Sequence, residues 1–304
     1  MNIKQLRYFH ELARQRHFAK AAKACHITQP TLSASITALE KSLGTELVVR
    51  TSQFVALTDA GRIVLEHAER ILQEQEGLRQ ALSRFSGELT GELRIGIVPQ
   101  SHVDIMPLLK RFNERYPAVT LSLSVMSHET LLGQLNLHQT DIGLGFDEHL
   151  SGLNQRLFDT HGRSRNQMAL LCNPLHHGEK PTGSVTLAEL ATRPLLLLSR
   201  NMQFRQYLDQ AATQEQLTFR VVLETDSLFH LVSAVRHELG CAIVSAGTAR
   251  SASRLFNLSW QPLAEVDAGH TLFITRKHSV TPAMRAFIAL LDDEENESAE
   301  SAQD

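Results

Sequence analysis

The sequence predicts an α/β protein headed by an all-α winged helix-turn-helix, and three observations carry that reading. Residues 1–44 hold three apolar runs at helical spacing, followed by two β-prone runs around a polar turn. Residues 59–86 keep an apolar spacing of four and three over three heptads. From Gly91 onward the pattern alternates between strands and helices, which implies a mostly parallel sheet covered by helices. A length of 304 residues suits two domains.

Ile3, Leu6, Phe9, His10 and Ala13 mark a first amphipathic helix to about Arg16, and Phe18, Ala21, Ala22 and Cys25 a short second one. His26-Ile27-Thr28 makes a tight connection, with Thr28 as N-cap and Pro30 tolerated in the first turn. The third helix carries Leu32, Ile36, Leu39 and Leu43 on one face and stops at Gly44. Its other face offers Gln29, Thr31, Ser33, Ala34 and Thr37. In a recognition helix such N-terminal polar residues reach base edges in the major groove, Gln pairing with adenine and Ser or Thr with several bases. A hairpin wing follows over Leu47–Leu57, where Arg50 and Thr51 are candidates for phosphate contact, Arg50 alternatively for a structural ion pair.

Thr58 caps a helix running to about Ser86, with Val64, Ala68, Ile71, Gln75, Leu78, Leu82 and Phe85 in one seam. Such a seam favours pairing with a second helix, Gln75 being its one polar member. In the last part, strands are expected at Leu93–Val98, Val119–Met126, Asp141–Phe146, Met168–Cys172, Leu195–Leu198, Phe219–Glu224, Cys241–Val244 and Thr271–Thr275. Helices are expected at Val103–Tyr116, Leu131–Leu137, Phe204–Gln216, Leu228–His237 and Thr281–Leu291.

Charge is unevenly placed. The whole chain has a formal net charge of −3, yet residues 1–65 carry nine Lys/Arg against four Asp/Glu. A basic head on an acidic body fits a polyanion-binding head with another task behind it. The tail from Asp292 is acidic and poor in apolar residues, which suggests disorder over 292–304. The longest strongly apolar run, Pro194–Leu198, is too short to span a bilayer, and the N-terminus has no apolar signal region. Three widely spaced cysteines argue against a disulfide framework. A soluble cytoplasmic protein is expected, without a membrane partner.

The chain resembles the LysR-type transcriptional regulators. The resemblance runs from Phe18-Ala19-Lys20-Ala21-Ala22 through Thr28-Gln29-Pro30-Thr31-Leu32-Ser33, then Ile36, Leu39-Glu40, Leu43-Gly44, Leu47, Arg50 and Leu57-Thr58-Asp59-Ala60-Gly61. Ala34 and Gln53 stand where the family often has basic residues, and Ser35 and Thr37 replace larger polar ones, which would weaken cationic contacts to DNA. More moderate likeness continues through Pro107–Phe112, Tyr116-Pro117, Asp141–Leu144 and Leu239-Gly240. The resemblance implies a two-lobed effector domain like the type 2 periplasmic binding proteins. It divides the chain into 1–58, the DNA-binding domain; 59–87, a dimerising linker helix; 88–291, the effector domain; and 292–304, the tail. Glu238 and Ser245 occupy places where the family often has Gly and Pro.

The implied function is a sequence-specific regulator of transcription, not an enzyme, controlled by a small anionic or carboxylate effector. Its partners would be double-stranded DNA with a roughly palindromic operator, the effector, a second copy of itself in a homodimer or homotetramer, and RNA polymerase were it an activator. In such a fold, ligands bind where strand C-termini meet helix N-termini. That places Gln100 and Ser101, His128, and Ser199, Arg200 and Phe204 as candidate effector contacts. The sequence has no phosphate loop, HExxH helix or Gly-x-Ser-x-Gly elbow. His176-His177 reads as solvated loop, so neither metal nor cofactor is expected. One alternative is a thiol redox sensor, because Arg16-His17-Phe18 and Cys25–Ser33 are similar to the peroxide-sensing branch of the family. That branch needs a cysteine pair, and the matching stretch Ser199–Leu208 has none. Cys172 and Cys241 read as inert core thiols. The other alternative is an enzyme on the binding-protein-like fold, which would show turnover without DNA.

Overall fold

The computed structural model describes the chain except residues 51–54, 84, 86–87, 100, 102, 148–149, 151–155, 175–182, 265 and 301–304. α1 (Ile3–Gln15) opens with a capping box, in which the Gln5 N–H donates to Asn2 Oδ1 and the Asn2 N–H to Gln5 Oε1, both at 2.9 Å. It buries Leu6, Tyr8, Phe9 and Leu12 and ends at Arg16 in the left-handed region. α2 (Phe18–Ala24) buries Ala21 and Ala22, small enough for α1 and α3 (Gln29–Leu43) to pack closely. Leu32, Ile36 and Leu39 of α3 are fully buried. Leu43, the fourth residue of the expected face, lies past the core at 37% exposure.

The wing is the antiparallel pair β1 (Val48–Arg50) and β2 (Val55–Leu57), Val48 facing Leu57. Glu40 of α3 anchors it by accepting the Leu47 N–H at 2.9 Å and the Val48 N–H at 3.3 Å. Thr58 ends the wing and starts α4 (Asp59–Ser83): its hydroxyl donates to the Glu46 carbonyl at 2.8 Å and accepts the Gly61 N–H at 2.9 Å. Only glycine fits at 61, because a Cβ there would lie 2.1 Å from the Leu47 carbonyl oxygen.

Two lobes follow, each a five-stranded mixed sheet. The first has strand order β4-β3-β5-β12-β6, with β3 (Gly91–Ile97), β4 (Val119–Val125) and β5 (Ile142–Phe146) parallel. β12 (His270–Arg276) returns antiparallel between β5 and β6 (Phe158–Arg165). The second has order β11-β7-β10-β8-β9: β8 (Pro194–Leu198), β9 (Arg220–Thr225) and β10 (Cys241–Ser245) are paired parallel, while β7 (Met168–Cys172) runs antiparallel to both β10 and its other neighbour β11 (Ser259–Pro262). The expected parallel sheet is thus three strands of five in each lobe. Glycines 96, 143 and 145 let β3 and β5 approach the side chains of α6 (His128–Asn136), since a Cβ at any of them would come within 3 Å of Leu131, Leu135 or His128.

α5 (Met106–Arg115) and α11 (Pro282–Glu300) complete the first lobe; α7 (Leu187–Ala191), α8 (Gln203–Gln214), α9 (Leu228–Arg236) and α10 (Ala246–Phe256) cover the second. β6, β11, α7 and α10 were not expected from the sequence. α11 runs nine residues past the expected end at Leu291, so the acidic stretch to Glu300 continues a helix instead of leaving it; Glu is a good helix former. Glu238 takes a left-handed φ of 61°, a conformation that favours glycine, at a place where the resemblance expected one. No helix among the described residues is long and apolar enough to cross a membrane.

Gly61→Ala should therefore lower the stability of the N-terminal unit by about 1–3 kcal/mol through overpacking against the wing. Thermal unfolding followed by circular dichroism checks this, and an unchanged Tm would remove the packing argument.

Candidate nucleic-acid interface and effector cleft

Thr28 caps α3, accepting the Thr31 N–H at 3.4 Å, and its hydroxyl lies 2.8 Å from that of Thr31. Gln29, Pro30, Thr31, Ala34 and Ala38 are exposed along one side of the helix, with Ser33 half-buried beside them. The structure thus brings Thr28, Gln29, Pro30, Thr31 and Ser33 together on one protruding helix end, with the exposed Lys20 and Lys23 on α2. Its amide groups and dipole face outward, where a phosphate or base edge would meet them. Arg50 is the last residue of β1; Thr51 and Gln53 lie outside the described residues, as do Gln100, His102 and His176-His177.

The effector candidates are more scattered. Ser101 follows β3, accepts the Val103 N–H at 3.1 Å, and has its carbonyl oxygen 3.3 Å from Ser245 Oγ of the second lobe. Ser245 also caps α10, accepting the Thr248 N–H at 3.2 Å, so serine at this place does two jobs that proline could not. His128 is 5% exposed; its Nδ1 accepts the Phe146 N–H at 3.3 Å, which fixes the imidazole under β5. Phe146 touches Tyr207 of α8 edge-on at 5.7 Å, a second contact between the lobes. Phe204 is buried in the second lobe's core. The Ser199 N–H donates to the Thr225 carbonyl at 3.0 Å, and Arg200 is exposed, 3.8 Å from Glu224.

A cavity of about 410 Å³ opens between α9, α10 and the segment after β3. Its walls are mainly apolar, from Val103, Leu228, Phe229, Val232, Ala252 and Leu255, with Ser101, Asp104, Ser233, Arg236, Thr248 and Ser251 as polar groups. Of the five described effector candidates, only Ser101 lines it. Sequence reading missed Arg205, which is 3% exposed and donates to the Leu198 carbonyl at 2.8 Å, Glu224 at 3.3 Å and Asp209 at 2.8 Å. An arginine on an amphipathic helix carries no signal that it will be buried.

The helix-turn-helix unit is joined to the first lobe through α4. Glu69 accepts from Gln139 at 3.0 Å and lies 3.6 Å from His10 of α1. Gln73 donates to Asp141 at 3.3 Å and hydrogen-bonds His138. Gln80 accepts the Ala283 N–H at 3.2 Å. Asp141 in turn accepts from the Arg94 backbone, Nε and Nη2 at 2.9, 3.0 and 2.8 Å, with Arg276 at 3.6 Å. Burial, aided by the Arg276, Arg70 and Arg94 cations, pulls His138 down from 6.5 to about 4. Burial likewise lowers Arg276 to about 10, still charged at neutral pH. Gln75, expected in the apolar seam, accepts from Arg7 of α1 at 3.1 Å.

Comparison with known proteins places both units. Residues 3–62 match the bacterial regulatory helix-turn-helix protein family of lysR type, and residues 86–295 match the LysR substrate binding domain. The HTH-type transcriptional regulator AlsR of Bacillus subtilis is 27% identical over 311 residues, covering 99% of each chain. A full-length OxyR from Pseudomonas aeruginosa shares the fold with a TM-score of 0.71 at 23% identity, covering 96% of this chain and 94% of that one. Full-length CbnR in complex with its target DNA does so with a TM-score of 0.65 at 22% identity, covering 96% and 99%.

Because the folded His138 takes a proton only near pH 4 while the unfolded chain does so near 6.5, the unfolded state binds more protons between those values. Stability from this residue is complete above pH 6.5 and is lost as pH falls toward 4. Tm measured from pH 7 to 4.5 should fall, and the fall should be shallower in His138→Gln. Equal slopes in the two proteins would sink the assignment.

Proposed function

Because the chain belongs to the LysR family of bacterial DNA-binding transcriptional regulators, we propose that residues 1–58 read an operator, 59–87 pair two chains, and 88–291 hold a small-molecule effector. The acidic residues 292–304 lie outside these tasks. Gln29, Thr31 and Ser33 read bases in the major groove, while Thr28 and Pro30 shape the helix end and Arg50 and Thr51 meet phosphates. The observation that carries this reading is the polar connection from Gln139 of the first lobe through Glu69 of α4 to His10 of α1, with Gln73 of α4 bonded to Asp141 beside it. It supplies a physical route by which a lobe movement reaches the recognition helix.

Pairing is supported by the other face of α4, where Ile71, Leu78 and Leu82 are 38%, 60% and 57% exposed and Phe85 just beyond is 90% exposed. Two copies joined along this stripe would place two recognition helices on a roughly palindromic double-stranded site. A homodimer or homotetramer built this way acts in the cytoplasm and, as an activator, would also meet RNA polymerase. The effector is an amphipathic carboxylate or other small anion: the first turns of α9 and α10 line the cavity beside Ser101, Arg236 adds a cation, and the rest of the wall is mainly apolar. His128, Ser199, Arg200 and Phe204 are not among the residues lining this cavity, and Gln100 lies outside the described residues. Binding there shifts the population of lobe arrangements and hence the spacing of the two DNA-reading heads, without turning the effector over.

Three outcomes test this. Gln29→Ala and Ser33→Ala should relax operator discrimination by roughly 1–3 kcal/mol per lost base contact, measured by binding to single-base operator variants. Unchanged discrimination would refute the recognition-helix assignment. Ser101→Leu should abolish the stabilisation by a carboxylate hit from a thermal-shift screen, about 2.7 kcal/mol at 100 times its Kd, while operator binding persists; loss of both would indicate a folding defect instead. Leu78→Lys with Leu82→Lys should convert dimers to monomers in analytical ultracentrifugation, and an unaltered assembly would place the dimer contact elsewhere.

A further inference from the structure

The second lobe sets two of the three cysteines face to face. β10 runs antiparallel to β7 with Ala242 opposite Leu171 and Ile243 opposite Leu170, so the next pair in that register is Cys241 and Cys172. The Ala246 N–H donates to the Gln167 carbonyl at 2.8 Å, which fixes the phase of the ladder. Hydrogen-bonded and non-hydrogen-bonded pairs alternate from there, and the cysteine pair falls at a non-hydrogen-bonded site. Cα atoms at such sites are about 4.5 Å apart, inside the roughly 4.4–6.8 Å that a disulfide spans. The two thiols hydrogen-bond each other, and the Arg193 side chain also hydrogen-bonds Cys172.

We propose that Cys172 and Cys241 are a redox pair, which a small disulfide oxidant closes into a cross-strand bond between β7 and β10. Both are terminal strand residues, Cys172 the last of β7 and Cys241 the first of β10, so they lie at the end of the sheet where strands fray first, flanked by Ser259 of β11 and Leu195 of β8. Cys241, the more exposed at 7% against 3%, attacks the small disulfide as its thiolate and releases one small thiol. Cys172 then attacks the mixed disulfide and releases the second. Two protein S–H bonds and one small S–S bond are lost; one protein S–S bond and two small thiols form, so two electrons and two protons pass to the oxidant. The hydrogen bond to Cys241 and burial push the Cys172 thiol above the usual range, and Arg193 opposes them by favouring the thiolate. This pair stands at the end of the sheet away from Ser199–Leu208, and it holds whether or not the effector reading does.

The test uses the full chain carrying Cys25→Ser, equilibrated in mixtures of reduced and oxidised glutathione, acid-quenched, unfolded, alkylated and weighed intact. The expected result is the paired loss of two alkylation sites, with no bound glutathione. The disulfide fraction should climb from ~10% to ~90% over a ~80-fold fall in the ratio of squared reduced to oxidised glutathione. The further variant Cys172→Ser should instead accumulate one glutathione on Cys241. Two alkylated thiols at every ratio, or a stable glutathione adduct on the chain that retains both cysteines, would overturn the proposal.

Discussion

Asp141 is 4% exposed, and a buried carboxylate must be compensated or the fold gives way. It collects Arg94 from β3 through three hydrogen bonds, Arg276 from β12 at 3.6 Å, and Gln73 from α4 at 3.3 Å. Loss of one partner from such a buried pair typically costs about 3–5 kcal/mol, because the remaining charge stays buried. One electrostatic requirement therefore holds β3, β5 and β12 in a single arrangement, and the linker helix attaches to it through the neutral Gln73. Arg276 adds to it by donating to the Leu135 and Thr140 carbonyls at 2.7 and 2.6 Å, which fixes the end of α6 to the same centre.

The consequence for α4 is an inversion of the usual amphipathic pattern. Its buried residues include Glu69, Gln73 and Gln80, while Ile63, Ile71, Leu78 and Leu82 face outward. A hydrogen-bonded polar face gives up little when it slides or separates, since water can replace its partners. An apolar stripe gains only when another surface covers it. The helix is thus adjustable toward its own lobe and adhesive toward a second chain, the division of labour a signal-carrying element requires.

Local chemistry was the most legible. The caps at Thr28 and Gly44 and the alanines of α2 are set by residues a few positions apart and stand where the sequence put them, whereas the expected seam of α4 divides, Val64 and Ala68 packing into the N-terminal core and Ile71, Leu78, Leu82 and Phe85 staying exposed. Strands buried on both faces, such as Met168–Cys172, were legible as apolar runs. β6 was not, because Phe-Asp-Thr-His-Gly-Arg-Ser-Arg carries edge-strand polarity and no alternation. α10 was hidden by its small residues, Ala-Gly-Thr-Ala-Arg-Ser-Ala-Ser, which pack tightly but give no apolar stripe. Thr28, Gln29, Pro30, Thr31 and Ser33 lie within six positions of one helix start and were legible as a group, whereas Arg50 sits on the wing. The cavity walls come from α9, α10 and the Ser101 segment, more than a hundred residues apart, so only Ser101 could be placed from its strand end.

The return of β12 into the first sheet has a consequence for the order in which the protein is made. β12 lies between β5 and β6, so the first lobe is built from two stretches of chain separated by the entire second lobe. Arg276, which completes the setting of Asp141, is added to the growing chain 135 residues after Asp141 itself. The helix-turn-helix depends on contacts within its own first 68 residues and can fold as soon as it emerges. During translation the head therefore exists as a folded body well before the platform that governs it, and control over it arrives with the last strand.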